Sequence, residues 1–235
     1  MSRVVTAFAA SVALLLPIGR PLLVGLTPAV GIGAGLLSTQ TAYAQSAIDW
    51  SDSGVAKFER GDLQGAIADW TKAIEIYPRY ALAYYNRGLA KDNLKDYRGA
   101  IADYTKAIEY NPNYAYAYHN RGNVKHDLKD YQGAIADYAK AIEINPQYAL
   151  AYLNRGLAKH DLKDYEVAIA DYTKAIEINP QYAEAYSSRG AVKDVYLKDI
   201  QGAIADYTKA NKLRPEHYAA YTNRGITLEK VGNLE

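Results

Sequence analysis

The sequence predicts an all-α fold, a solenoid of antiparallel helix pairs, and three observations carry that expectation. First, Gly54, Gly88, Gly122, Gly156 and Gly190 stand 34 residues apart and Gly225 follows after 35. Pro78, Pro112, Pro146 and Pro180 keep the same step, with Pro215 again one residue late. Second, half of each period carries an apolar helical stripe: Tyr97, Ala100, Ile101, Tyr104, Ala107 and Ile108 recur at three- and four-residue steps. Third, the other half carries a shorter pattern, Ala83, Tyr84, Gly88 and Leu94, ending in a polar Leu-Lys-Asp turn. One helix pair cannot bury such stripes alone, so the copies must stack.

Taken in chain order, residues 1–44 read as a signal peptide. Arg3 opens it, Val4 to Leu16 are almost wholly apolar, and a second apolar run spans Leu22 to Leu37. Ala42 and Ala44 give the small-x-small pattern of a signal-peptidase site before Gln45. Pro17, Pro21 and Pro28 interrupt the windows long enough to span a bilayer, so no stable membrane insertion is expected after cleavage. The expected destination is beyond the inner membrane: periplasm, medium or, in a photosynthetic bacterium, the thylakoid lumen.

The body, residues 45–235, divides into repeats 47–80, 81–114, 115–148, 149–182 and 183–217, with a partial copy at 218–235. In each full copy a first helix leads through the polar turn to a second. Asp96 is placed to cap the second helix of its copy, and Asn111-Pro112 to stop it. The fifth copy has one extra residue, between Lys193 and Asp199, where a surface turn would absorb it. The sixth copy reaches only its first helix.

Charge and composition exclude several functions. Of 27 basic and 26 acidic residues, Arg3 and Arg20 belong to the targeting stretch, leaving a near-neutral body. Such a body offers no electrostatic footprint for nucleic acid or anionic lipid. There is no Cys, hence no disulfide, thiolate nucleophile or Cys-ligated zinc. No GxxxxGK or HExxH occurs, and the Gly31–Gly35 run follows no strand. The histidines are His119, His126, His160 and His217; His126 and His160 share a column, but no third ligand column accompanies them. No enzyme, metal or cofactor is expected.

Tyr84, Gly88, Ala100, Tyr104, Ala107 and Pro112, at their spacing, resemble the tetratricopeptide-repeat signature, in its bacterial, cyanobacterial-type form. The columns recur as Trp50, Tyr84, Tyr118, Tyr152, Tyr186 and Tyr221, and as Trp70, Tyr104, Tyr138, Tyr172 and Tyr207. Lys57, Lys91, Lys125, Lys159 and Lys193 depart from the family, which often has an aromatic there. The resemblance implies a right-handed superhelix whose first helices line a concave groove for peptides or partner proteins. Carried over by column, the groove holds Leu82, Tyr116 and Leu150; Tyr85, His119 and Leu153; and Leu89, Asn123 and Leu157. An asparagine ladder, Asn86, Asn120, Asn154 and Asn223, runs beside them, bordered by Asp92, His126, His160 and Asp194.

An Asn side chain both donates and accepts, so the ladder suits the backbone of an extended peptide. Duplication alone would equally carry Asn along unselected. The expected function is a non-enzymatic scaffold binding a peptide or partner protein in this groove. The alternative is a self-assembly or accessory module of a larger exported complex, joined through its end copies.

One charge pattern needs its own explanation. Arg87, Arg121, Arg155, Arg189 and Arg224 each precede a Gly, while Asp69, Asp103, Asp137, Asp171 and Asp206 form an acidic column on the second helices. Pairing within copies strands Asp69 and Arg224; pairing each Asp with the next copy's Arg strands none. The sequence therefore predicts Arg87–Asp69, Arg121–Asp103, Arg155–Asp137, Arg189–Asp171 and Arg224–Asp206, fixing the register between copies.

Overall fold

The computed structural model describes residues 34–216 and 218–232, with side-chain surroundings from Gln45 onward. The apolar runs up to residue 33, and His217, lie outside the described residues. Eleven α-helices and no strand occur among the described residues: α1 (Ala34–Glu59), α2 (Leu63–Ile76), α3 (Ala81–Asn93), α4 (Tyr97–Tyr110), α5 (Ala115–Asp127), α6 (Tyr131–Ile144), α7 (Ala149–Asp161), α8 (Tyr165–Ile178), α9 (Ala183–Val192), α10 (Ile200–Leu213) and α11 (Tyr218–Gly232). No described helix is long and apolar enough to cross a membrane. The compact unit Thr41–Glu235 is an all-α helical repeat solenoid.

The local rules are legible element by element. Asp62, Asp96, Asp130 and Asp199 each accept a hydrogen bond from the backbone N–H three residues on, capping α2, α4, α6 and α10. That third residue is Gly65, Gly99, Gly133 and Gly202, and a Cβ there would lie about 2.1–2.2 Å from the capping carboxylate. In the fourth copy Val167 holds the place, and Asp164 makes no side-chain cap. At the far ends, Asn111, Asn145 and Asn179 turn extended ahead of the prolines and accept from the N–H two residues on.

Between paired helices the chain turns through a left-handed residue: Gly61 in the first copy, then Lys95, Lys129, Lys163 and Lys198. The extra residue of the fifth copy falls where expected but does not lengthen the turn. It widens the end of the helix into a π-turn, Lys193–Leu197, and the closing bond from Asp199 N reaches Lys193 O.

The first helix starts earlier than the sequence predicts. α1 begins at Ala34 rather than Ala47 and runs through Ala42, Ala44 and Gln45, because no proline interrupts the stretch after Pro28. The described residues that it buries, Ala47, Ser51 and Gly54, all lie inside the expected repeat.

The core repeats with the sequence. Ala66, Trp70 and Ala73, then Ala100, Tyr104 and Ala107, and their counterparts in later copies, are almost completely buried. Gly88 answers to Tyr104: a Cβ on it would sit 2.8 Å from that ring. The glycine column therefore admits the aromatic ring of its own copy, not the second helix of the preceding one.

The charge column follows the same logic, and the offset pairing is wrong. Arg87 grips Asp103 of its own copy through Nε and Nη2, at 2.9 and 2.7 Å. Arg121–Asp137, Arg155–Asp171 and Arg189–Asp206 repeat this two-point grip. None of the predicted pairs Arg87–Asp69, Arg121–Asp103, Arg155–Asp137, Arg189–Asp171 or Arg224–Asp206 forms. Counting arginines alone missed the Lys column. Lys91, Lys125, Lys159 and Lys193 bring a second cation to the same buried carboxylates, at 2.7–3.1 Å. Asp69, which lacks an Arg, is held by Lys57 at 2.7 Å and the Ser53 hydroxyl at 2.6 Å. Burial pushes its carboxyl up, but those two hydrogen bonds and nearby lysines outweigh it and leave the group below its ordinary range. Among the described residues Arg224 has no carboxylate partner, and its Nε is buried without a hydrogen bond.

The arginines do join copies, through a different acceptor. The Nη1 groups of Arg87, Arg121 and Arg189 donate to Thr71, Thr105 and Thr173 of the preceding copy, each at 3.0 Å. For Arg155 that position is Ala139, and no such bond is made.

Candidate functional site

Successive first helices approach one another (α3 to α5, α5 to α7, α7 to α9, α9 to α11), whereas no two second helices do so to a comparable degree. The first helices therefore form the inner layer, and their free face is the candidate site.

Three groups of expected groove residues behave differently. Leu82, Tyr116 and Leu157 are exposed on the inner layer, with 39, 52 and 36% of their surface open. Leu89, Asn123 and Leu150 are half-buried. His119 and Leu153 are buried and Tyr85 is largely so, contrary to the expectation that their column faces solvent. The cause is a residue the sequence reading did not use, the Tyr just before each first helix. Tyr114 packs on Tyr85 with ring centroids 4.8 Å apart, and Tyr148 packs on His119 at 4.9 Å. Tyr182 packs in the cluster that holds Leu153. The signal was present as a 34-residue tyrosine column (Tyr80, Tyr114, Tyr148, Tyr182) next to the turn.

The asparagine ladder is woven into the scaffold. Asn120 donates to the Tyr85 hydroxyl at 3.0 Å, and its carbonyl meets His119 Nδ1 at 3.0 Å. Asn154 donates to Asn123 Oδ1 and approaches His119 Nε2, both at 3.0 Å. The Tyr138 hydroxyl also donates to Asn123 Oδ1, at 2.9 Å. These partners assign the His119 tautomer: Nδ1–H donates to the Asn120 carbonyl, and bare Nε2 accepts from Asn154. Burial agrees, pushing His119 down to about 4 and keeping it neutral.

Asn223 accepts from the Thr227 hydroxyl through its backbone carbonyl. Asn86 is buried, and its Nδ2 has no partner. Four of the ladder residues thus sit in four environments, and none is a free amide row. Asn120 and Asn154 chiefly tie copy to copy.

The bordering column forms rungs between copies. His126 Nε2 stands 2.9 Å from Asp161 Oδ2, and His160 Nδ1 3.5 Å from Asp161 Oδ1. Hydrogen bonds from His126, then His160, hold the Asp161 carboxyl well below its usual range. Asp194 receives Lys230 and the Thr227 hydroxyl. Asp161 lies between the two histidines, yet no described group of three or more His, Cys, Asp or Glu side chains could hold a metal ion.

Comparisons place the chain among known proteins. A model described as TPR repeat matches residues 54–92, 122–163 and 156–193. Two described as tetratricopeptide repeat match 81–114 and 103–136, so the matches together run over 54–193, more than half the chain. The crystal structure of MamA is 27% identical, with a TM-score of 0.64, covering 69% of this chain and 95% of that one. MamA 41-end from Desulfovibrio magneticus RS-1 is 23% identical at a TM-score of 0.67, covering 73% and 97%. YrrB, described as a TPR protein with an unusual peptide-binding site, is 20% identical at 0.66, covering 83% and 100%. No curated protein sequence matches the chain. The repeats and the shared helical architecture make this molecule a protein–protein interaction scaffold, and the chain belongs to the tetratricopeptide-repeat family.

Proposed function

We propose that the protein is an exported, non-enzymatic scaffold that holds a peptide or an extended partner segment along its inner helical face. The observation that carries this reading is the exposed apolar line Leu82, Tyr116 and Leu157, set beside half-buried amides and backed by a rigid network. A soluble helix layer that leaves large side chains open on its inner side offers them to a partner. Export rests on the apolar leader and the Ala42-x-Ala44 pattern. Cleavage before Gln45 would remove the start of α1 and keep Ala47, Ser51 and Gly54, which pack the first copy.

The test is a cross-linking pulldown from the exported fraction with the wild type and a Tyr116→Ser/Leu157→Ser double variant. Capture should fall about tenfold while the melting temperature stays within a few degrees, since both side chains are exposed. Equal capture by the variant sinks the inner-face reading. Intact mass of the recovered protein should start at Gln45; retention of residues 1–44 sinks export.

A second reading, assembly through the end copy, draws on α11. Among the described residues, Tyr221, Ile226 and Leu228 are exposed there, Gly225 has open space where its counterparts meet a Tyr or Trp ring, and Arg224 Nε lacks an acceptor. Light scattering separates the two, because assembly raises the mass with no added partner.

A further inference from the structure

Two polar contacts join the end of one copy's first helix to the next copy, 35 or 36 residues on. His126 meets Asp161 in this way, and Asp194 meets Lys230, each at 2.9 Å. The same step sets Asp92 on α3 against Asp127 on α5, and the charge of Asp127 acts on Asp92. Here both members are acids. Among the described residues neither carboxylate has a hydrogen-bond or ion-pair partner; Lys95 only partly offsets the Asp92 charge. Burial first, and Asp127 second, push the Asp92 carboxyl up to about 6. Elsewhere on this edge the chain supplies a side-chain partner itself, from His126 and His160 or from Lys230.

An independent observation sits at the same rung. The Tyr104 hydroxyl is fully buried, has no partner, and lies where the charge of Asp92 reaches it. Its counterpart Tyr138 donates to Asn123, but the second copy has Leu89 in that place. Like charges across a rung are destabilising, and an orphaned hydroxyl costs more. One ligand group relieves both: a cation between the carboxylates offsets their repulsion, and its N–H gives the Tyr104 hydroxyl oxygen a donor. Three acidic or imidazole ligands are not gathered at this rung, so a metal ion does not fit it. A lysine or arginine side chain does. Half-buried Leu89, one turn before Asp92 on α3, is apolar surface for its stem.

We propose that the Asp92–Asp127 rung, with the Tyr104 hydroxyl behind it, is the binding site for a lysine or arginine side chain of a peptide lying along the inner face. This rests on the inner-face reading above, and the experiment separates the two. A random dodecapeptide display library is selected on the wild-type protein, and the best recovered sequence is synthesised with a fluorophore. The expected result is a recovered peptide carrying Lys or Arg. Its binding should weaken tenfold or more in the Asp92→Asn/Asp127→Asn variant, and equally when the basic residue of the peptide is changed to Met. The Asn pair removes a repulsion, so the variant should melt no lower than the wild type. The peptide substitution reads the same contact without touching the protein. Recovered peptides that lack a basic residue, or that bind the variant as well as the wild type, overturn the assignment and leave the inner-face reading standing. Recovery of no peptide overturns both.

Discussion

The joint between α3 and α5 and the joint between α5 and α7 are built on the same scaffold and lined differently. Both have an Arg held at two points by a buried Asp, a Lys on the same carboxylate, and a tyrosine ring against the column glycine. Between α5 and α7 the inner polar groups form a closed network: Asn120, His119, Asn154, Asn123 and Tyr138 satisfy one another. Between α3 and α5, Leu89 replaces the central amide, Tyr104 keeps an unused hydroxyl, and two acids face each other. The lesson is that a repeat array can vary its inner face because the pairing of the two helices within each copy depends on groups placed elsewhere. One joint is completed by its own side chains and the other is left for something to complete.

If the scaffold is shared, breaking it must cost the same at both joints. Asp103→Ala and Asp137→Ala should each lose about 3–5 kcal/mol, because Arg and Lys are left near the core without their carboxylate. Urea denaturation measures this; a cost at one joint alone breaks the comparison.

Acid should then separate the joints by sign. His119 titrates near 4 when folded and near 6.5 when unfolded, so the unfolded chain binds more protons between those values. Its contribution is present above pH 6.5 and lost as the pH falls toward 4, on the order of 3 kcal/mol. Asp92 runs the other way. Its folded value, about 6, lies above the unfolded one, so stability is gained as the pH falls from above 6 toward 4. Melting temperatures from pH 7 to 4 should therefore fall less steeply in His119→Asn, and more steeply in Asp92→Asn, than in the wild type. Parallel curves would show the two joints to be electrostatically alike.

The smallest effect comes from exchanging the central residues. Asn123→Leu leaves the Tyr138 hydroxyl and one Asn154 proton without an acceptor, and should cost about 1–2 kcal/mol. Leu89→Asn offers Tyr104 the acceptor it lacks and should cost less than about 0.5 kcal/mol. Equal losses from both exchanges, read by urea denaturation, would remove the distinction between a closed and an open joint.

Much of this was legible in the sequence. Stripe, caps and stops placed the helices, because each depends on residues within four positions of one another, and the 34-residue period repeated them along the chain. The column of Arg and Asp was legible as a pairing but not as to which pairing, since Arg reaches either neighbour. The deciding facts were the lysine one turn beyond Arg87, Arg121, Arg155 and Arg189 and the threonine two residues beyond Asp69, Asp103 and Asp171. Both are ordinary surface types in a helix and carry no signal alone. Of the columns assigned to the inner face, Leu82, Tyr116 and Leu157 are exposed, while His119 and Leu153 are covered by the next copy's tyrosine. Column reasoning sees direction along a helix and does not see what a following turn lays over it.

Val167 has a consequence for how the molecule comes apart. Each copy touches only its neighbours, so partial melting travels as a boundary that halts where the next step is hardest and starts where it is easiest. Without its Asp164 cap, α8 lacks roughly 1 kcal/mol of support that α2, α4, α6 and α10 have, and its first turn opens about fivefold more often. The amide protons of that turn should exchange first among the second helices. The array has a seam in its fourth copy, written by a single branched side chain where its siblings have none.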